Sequence, residues 1–259
     1  LLNKCGGYMY DNFTLVTCSY NTPDVTLKML TSFLKYHPKV KHIYISENST
    51  NLETSTLLDK YKIPYISRPG STHTDAVDIT LPQIHTKYAL LVDTDIIFHR
   101  NVEPLYHIMR KHNVAVMGEL CGSRGGYNLY TRIHPWFMWI DIEQINRHGI
   151  RFKDLKRIES TGSEKFYGNN PLMLENDGRT KYDVGATFYE DIKLAGLNIY
   201  AYKADPKYFT HYEGMSWHKN CGYDKLQFIG IRTALQYKRD TGNLDINTLT
   251  HHNFEMPHE

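Results

Sequence analysis

Asp93 and Asp95 stand two residues apart, directly after the apolar run Tyr88-Ala89-Leu90-Leu91-Val92 and directly before Ile96-Ile97-Phe98. The chain holds 16 Asp in 259 residues, so chance alone supplies about one Asp-x-Asp triplet, and the placement carries the information. Two carboxylates at the end of a buried strand repel each other and lose hydration, a cost that a cation removes. Hard carboxylate oxygens suit Mg2+ or Mn2+, and such ions are commonly shared with substrate phosphates. The bland alternative is a solvated turn at a strand end.

The elements that must position this pair follow from pattern. Phe13 to Cys18 is a short β-branched and apolar run, broken by the turn residues Ser19 to Asp24. Val25, Leu27, Met29, Leu30, Phe33 and Leu34 then follow helical spacing up to His37-Pro38. His42 to Ser46 and Pro64 to Ser67 read as strands, with a helix between them from Leu52 to Tyr61. Thr74 to Ile84 and Val102 to His112 read as helices, and Val114 to Met117 as a strand. The unbroken apolar character of Tyr88 to Val92 suits a strand covered on both faces. Strands alternating with helices predict an α/β fold with right-handed crossovers and a mostly parallel, Rossmann-like sheet flanked by helices. Ligands in such sheets bind beyond the carboxyl ends of the strands, at Thr17 to Asn21, Glu47 to Ser49, Ser67 to Gly70 and Asp93 to Asp95.

The second half is less regular. Trp136 to Ile140 is a strand candidate, Asp141 to His148 a short helix, and 150 to 182 an irregular stretch. Val184 to Leu194 and Tyr223 to Lys238 read as helices, and Asn198 to Tyr202 and Tyr208-Phe209 as strands. Without a repeat or a Pro/Ser-rich linker, one domain over 1–259 is expected.

The ordered motifs resemble those of a GT-A fold glycosyltransferase, family 2-like. Val16 to Pro23 is similar to that family's first strand and "TYNRP"-like turn, and Ile45 to Ser49 to its "VDNGS" segment. Leu90 to Asp95 is similar to its "LDDD"-type metal motif, and His211 to Ser216 to a C-terminal "H-x-x-G-x-S" loop. The resemblance spans about 13 to 218. It implies a nucleotide-sugar half (about 13–118) and an acceptor half with a closing helix (about 119–240).

The resemblance also implies roles. Thr17, Tyr20, Glu47, Asp75 and Asp93 would meet the nucleotide and donor sugar. Asp95 and His211 would hold Mn2+ or Mg2+, with His218 a rival ligand. An inverting transfer needs a general base near the acceptor hydroxyl. Asp183, opening a helix before Gly196, matches the family's base position, although the family's Glu-Asp pair is missing there. Glu190-Asp191 is such a pair, but its mid-helix place predicts a solvent-facing position. Each residue has a plainer alternative: packing for Tyr20, a cap or surface acid for Glu47, a helix N-terminus for Asp75 and an N-cap for Asp183.

Tyr and Trp stack on the apolar faces of sugars. Trp136, Trp139 and Asp141, with Trp217 near the metal loop, are the acceptor candidates, with core packing as the alternative for the tryptophans. Five bases from Arg147 to Arg157 against Asp154 could face an anionic acceptor or membrane surface, or form a solvated loop. The partners implied are a nucleotide-diphosphate sugar and a hydroxyl-bearing acceptor, whether glycan, lipid, protein or modified nucleic acid. A sugar nucleotidyltransferase would use a similar sheet and acidic site, but no Gly-rich phosphate loop follows Phe13 to Cys18. A non-catalytic carbohydrate-binding protein would explain the aromatic residues without the acidic pair.

Composition limits the rest. Hydrophobic residues make up 41% and charged residues 22%, ordinary for a globular chain. Residues 1–130 hold 13 bases and 11 acids, and 131–259 hold 17 of each, so neither part is a generic nucleic-acid-coating domain. Four separated cysteines without C-x-x-C fit neither a disulfide framework nor a zinc finger, and point to a cytoplasmic-type compartment. No apolar run approaches the ~18 residues of a membrane span, so any membrane association would be peripheral. The chain begins with Leu1, so targeting by an upstream segment is not readable.

Overall fold

Phe13-Thr14-Leu15-Val16-Thr17-Cys18-Ser19 forms β1, and nearly all of it is buried, as a strand covered on both faces must be. In the computed structural model, which describes residues 12–123, 128–163, 178–212 and 231–255, the next elements are α1 (Pro23–Tyr36), β2 (Ile43–Glu47), α2 (Glu53–Lys60), β3 (Ile66–Ser67) and α3 (His73–Thr80). β4 (Tyr88–Asp93), β5 (Ile96–Phe98), α4 (Glu103–Lys111), β6 (Val116–Cys121) and β7 (Arg132–Asp141) follow. The described remainder comprises α5 (Ile142–Arg147), α6 (Leu155–Ser160), α7 (Ala186–Leu194), β8 (Ile199–Ala201), β9 (Phe209–His211), α8 (Ile231–Thr241) and a 3-10 helix (Ile246–His251).

The strand order is β3-β2-β1-β4-β7-β6-β8, a mostly parallel seven-stranded sheet flanked by helices, with β7 antiparallel to β6. The expected α/β class is therefore observed. Two compact units form, each from separate stretches of chain. The first draws on the described residues of Leu1–Gly70, Val92–Pro104 and Asp205–Glu259, the second on those of Ser71–Leu91 and Leu105–Ala204.

In the first unit, β1 and β2 pair in parallel with Ser19 opposite Glu47, and β2 and β3 with Glu47 opposite Ser67. This register aligns three carboxyl ends. The loops beyond them are tied together: Asn48 N–H donates to Ser19 O at 2.7 Å, and Arg68 N–H to Glu47 O at 2.7 Å. Asn21, at φ 49°, donates its N–H to Ser49 Oγ at 2.7 Å. Asn tolerates that left-handed conformation better than most residues.

His37 closes α1 and is buried, its ring stacked on Phe33 at 4.3 Å. Nε2 accepts the Val102 N–H at 2.9 Å, so Nδ1 donates to the Phe33 carbonyl at 2.8 Å and the ring is neutral. Burial pushes its pKa down from 6.5 to about 4. The unfolded chain therefore takes up this proton first as pH falls. The stability that neutral His37 contributes is whole above pH ~6.5 and is lost towards pH ~4, on the order of 3 kcal/mol. Denaturant titrations at about pH 7.5 and about pH 4.5 should show the loss, and His37→Asn should flatten it. An equal pH slope in both proteins would contradict this.

In the second unit, β6 and β7 pair with a register shift between Gly118 and Leu120. A Cβ at Gly118 would lie 2.5 Å from Ile133 Cγ2 and 2.9 Å from Phe137 O, so only glycine permits this approach of the strands. Asp141 precedes α5 as its N-cap, accepting the Gln144 N–H at 3.0 Å. Part of the stretch read as irregular is helix α6, capped by Asp154, whose carboxylate accepts the Arg157 N–H at 3.2 Å.

Candidate metal and donor site

The acidic pair is built by the end of β4 and the start of β5. Ala89 to Val92 are fully buried, Asp93 is half-buried, and Asp95 is 0% exposed. β9 runs antiparallel to β5 with His211 opposite Ile96, which sets the imidazole beside Asp95. His211 Nε2 lies 3.3 Å from Asp95 Oδ1. One ligand atom from each of Asp93, Asp95 and His211 falls within 4.8 Å of the others. The Tyr212 N–H donates to the Asp95 carbonyl at 2.9 Å and closes the turn against β9.

This donor set fits a divalent cation. Two carboxylates and an imidazole converge where one carboxylate is fully buried, so a cation would compensate charge that burial otherwise penalises. The mixed oxygen and nitrogen set suits Mn2+ well; Mg2+ favours oxygen ligands and retained waters.

The other donor candidates in this unit surround the ends of β1 and β2. Tyr20 is half-buried just past β1. Thr17 is buried, and among the described residues its hydroxyl has no hydrogen-bond partner. Glu47 is 2% exposed, and its Oε1 accepts the Ser49 N–H at 2.9 Å, so part of the carboxylate shapes the turn after β2.

Asp75 lies in the first turn of α3, in the second unit. Its Oδ1 lies 2.5 Å from Lys153 Nζ, and its Oδ2 accepts from the α3 N-cap Thr72 at 2.6 Å. Burial pushes the Asp75 carboxyl up, but Lys153 and Thr72 outweigh it and hold the group below the usual carboxylate range. One oxygen thus serves the start of α3 through Thr72, and the other holds Lys153.

Asp183 precedes α7, but Gly185, at φ 81°, is the N-cap. A Cβ at Gly185 would sit 3.3 Å from Ile133 O, so this position favours glycine both in space and in backbone angle. Asp183 is instead gripped by Arg132 at the start of β7, with Nη2 to Oδ2 at 2.5 Å. The Arg132 side chain is only 3% exposed and that of Asp183 24%, and the Val184 N–H donates to the other carboxylate oxygen, Oδ1, at 2.7 Å. Sequence reading missed Arg132. The signal appears only once the strand is seen to begin at Arg132, since an Arg inside a buried strand demands a carboxylate partner.

Two acceptor candidates are buried. Trp139 is 0% exposed and packs against Tyr106 at 5.9 Å, which leaves no ring face for a sugar. Asp141 is 2% exposed and spends its carboxylate on α5, where Gln144 Nε2 also donates at 3.0 Å. The strand is longer than expected and covered on both faces near its end, so alternation does not expose Trp139. Trp136 is half-buried, with its ring 6.1 Å from that of His134. Trp217 and His218 lie outside the described residues.

The bases of 147–157 do not form an open patch. Arg147 pairs with Glu143, Arg151 with Asp78 and Lys153 with Asp75, at 2.6, 2.6 and 2.5 Å. Arg157 reaches Asp154, Glu190 and Asp191 at 2.8, 3.3 and 2.6 Å. Glu190 and Asp191 are therefore Arg157 partners rather than solvent-facing acids, and the Tyr182 hydroxyl also donates to Glu190 at 2.8 Å.

Residues 14–167, more than half of the chain, match the model of glycosyl transferase family 2. The chain belongs to that family, and its fold is GT-A. A search of curated proteins finds no match. Among solved structures it is similar to a mannosyltransferase, PcManGT of Pyrobaculum calidifontis, in complex with GDP-Man and Mn2+, at 11% identity and a TM-score of 0.51, covering 93% of this chain and 68% of that one. It is also similar to a CMP:2-keto-3-deoxy-manno-octonic acid synthetase complexed with CTP, at 10% identity and a TM-score of 0.52, covering 88% and 99%. S. aureus TarS 1-349 in complex with UDP matches at 17% identity and a TM-score of 0.43, covering 71% of this chain and 64% of that one. The chain thus spans just under two thirds of the length of that TarS structure. No helix among the described residues is long and apolar enough to cross a membrane.

Proposed function

We propose that this protein transfers a sugar from a nucleotide-diphosphate sugar to an acceptor hydroxyl, with inversion and with the help of a divalent cation. The observation that carries the reading is the convergence of Asp93, Asp95 and His211 at the end of β4 in a family 2 chain. Asp95 and His211 would hold Mn2+ or Mg2+, with Asp93 turned to the ion and the donor ribose. The bound cation supplies Lewis-acid stabilisation of charge on the leaving diphosphate. Tyr20 lies against the base, while Glu47 and Thr17 present polar atoms near the strand ends where a nucleotide sits. Asp183 takes the proton of the acceptor hydroxyl, its carboxylate kept in one orientation by Arg132. Trp136 is the aromatic face offered to an acceptor sugar. Residues of about 13–118 supply most donor contacts, and those of about 119–240 the acceptor contacts and base.

A thermal-shift screen of UDP, GDP, CMP and TDP, each with and without Mn2+, tests this reading. Stabilisation by one nucleoside diphosphate only in the presence of Mn2+ is expected. Stabilisation by a nucleotide regardless of the cation would overturn the cation role. Stabilisation by sugar alone would favour a carbohydrate-binding module. The nucleotidyltransferase alternative shares the fold with the CTP-bound neighbour, and predicts pyrophosphate release from a nucleoside triphosphate.

A further inference from the structure

The family match ends at residue 167, yet α8 reaches back to the residue that follows His211. β5 and β9 are three residues each and form a two-stranded sheet of their own. So short a ribbon does not hold its geometry alone. Something else must fix His211 against Asp95.

Tyr212 is that link. It directly follows His211, is 1% exposed, and donates its N–H to the Asp95 carbonyl at 2.9 Å. Its ring meets Tyr237 of α8 edge-on at 5.0 Å, within a buried cluster of Val25, Ile97, Tyr212 and Tyr237. Its hydroxyl donates to the Asp240 carboxylate on the same helix. Gln236 Nε2 steadies the other Asp240 oxygen at 2.7 Å. His99, just past β5, lies 3.8 Å from Asp240 and 2.8 Å from Thr210 Oγ1 on β9. Tyr212, next to β9, is thus bonded to this carboxylate, while His99, next to β5, bonds β9 through Thr210 and lies beside it.

We propose that Asp240 is a positioning residue for the cation site, acting through Tyr212 to set His211 against Asp95. The inference rests on the reading of Asp93, Asp95 and His211 as cation ligands. Partners behind the ligands of a metal site typically contribute ~10–100-fold in affinity. Because Asp240 acts one residue removed from His211, the low end of that range is expected.

The experiment is Mn2+ binding to the full chain, read by electron paramagnetic resonance of the free ion, with thermal melts run alongside. Asp240→Ala and Tyr212→Phe should each weaken Mn2+ binding about 10-fold. Asp240→Asn keeps an acceptor for the Tyr212 hydroxyl, and should stay near wild type. A purely structural role would lower the melting temperature and leave Mn2+ affinity unchanged in the folded variants, which would overturn the proposal. If Asp240→Ala does not fold, Tyr212→Phe, which removes one oxygen, carries the test. Asp95→Asn separates the layers. Loss there with wild-type binding in Tyr212→Phe sinks only the Asp240 role, whereas Mn2+ binding unaffected by Asp95→Asn removes the cation site and the proposal with it.

Discussion

Asp95→Asn should reduce sugar transfer by about 10³-fold, the several kcal/mol that a Lewis acid contributes at a leaving diphosphate. Asp95 is buried, lies 3.3 Å from His211 Nε2, and closes the β4–β5 turn through its backbone carbonyl. Asn keeps the shape and one oxygen but removes the charge that draws a cation into a water-poor position. The variant should remain folded, because the Tyr212 N–H bonds the backbone of Asp95 rather than its carboxylate. The informative comparison is transfer at saturating Mn2+ alongside nucleoside-diphosphate binding. Both should fall together, because on the proposed reading one ion would both stabilise the leaving group and hold the donor. Transfer that survives while circular dichroism shows a native fold would remove Asp95 from the cation site.

Asp183→Asn should lower kcat by between ~10² and ~10⁴, the range for loss of a general base, with the donor KM little changed. Asn cannot take a proton but still accepts a hydrogen bond, so the contact with Arg132 is weakened rather than abolished. That weakening should cost stability on the order of 1–3 kcal/mol, since the Arg132 guanidinium is buried. Single-turnover rates at saturating donor separate the chemical step from folding and binding losses. Product anomeric configuration by NMR belongs to the same test. A retained configuration would dismiss Asp183 as the base, as would near-wild-type turnover.

The strands that carry the site were legible because burial on both faces forces unbroken apolar runs, as at Tyr88 to Val92. The acidic pair was legible by its position at the end of such a run. What pattern could not provide is who meets whom across the fold. Lys153 reaches Asp75, Arg157 reaches Glu190 and Asp191, and Arg132 reaches Asp183, each between residues far apart in sequence. A stretch that looked like a cationic surface is therefore largely neutralised by acids brought to it from α3, α5 and α7 or their flanks. The burial of Trp139 and Asp141 was illegible for a related reason. Their strand extends to Arg132 and is covered on both faces near its end, so period-two alternation no longer sorts inside from outside.

His211 stood out by resemblance alone. Its physical support came only with the antiparallel pairing of β5 and β9, which no local pattern encodes. The Tyr212 and Asp240 contact is likewise invisible in sequence, because it joins the residue after a three-residue strand to the last turns of α8.

The most direct test of the central claim is nucleotide release from a panel of nucleotide-diphosphate sugars by the wild-type chain, with Mn2+ present and with it removed by chelation. Release of a nucleoside diphosphate from one donor class is expected only when the cation is present, and is expected to be lost in Asp95→Asn. Equal release after chelation, or no difference between Asp95→Asn and wild type, would contradict the claim.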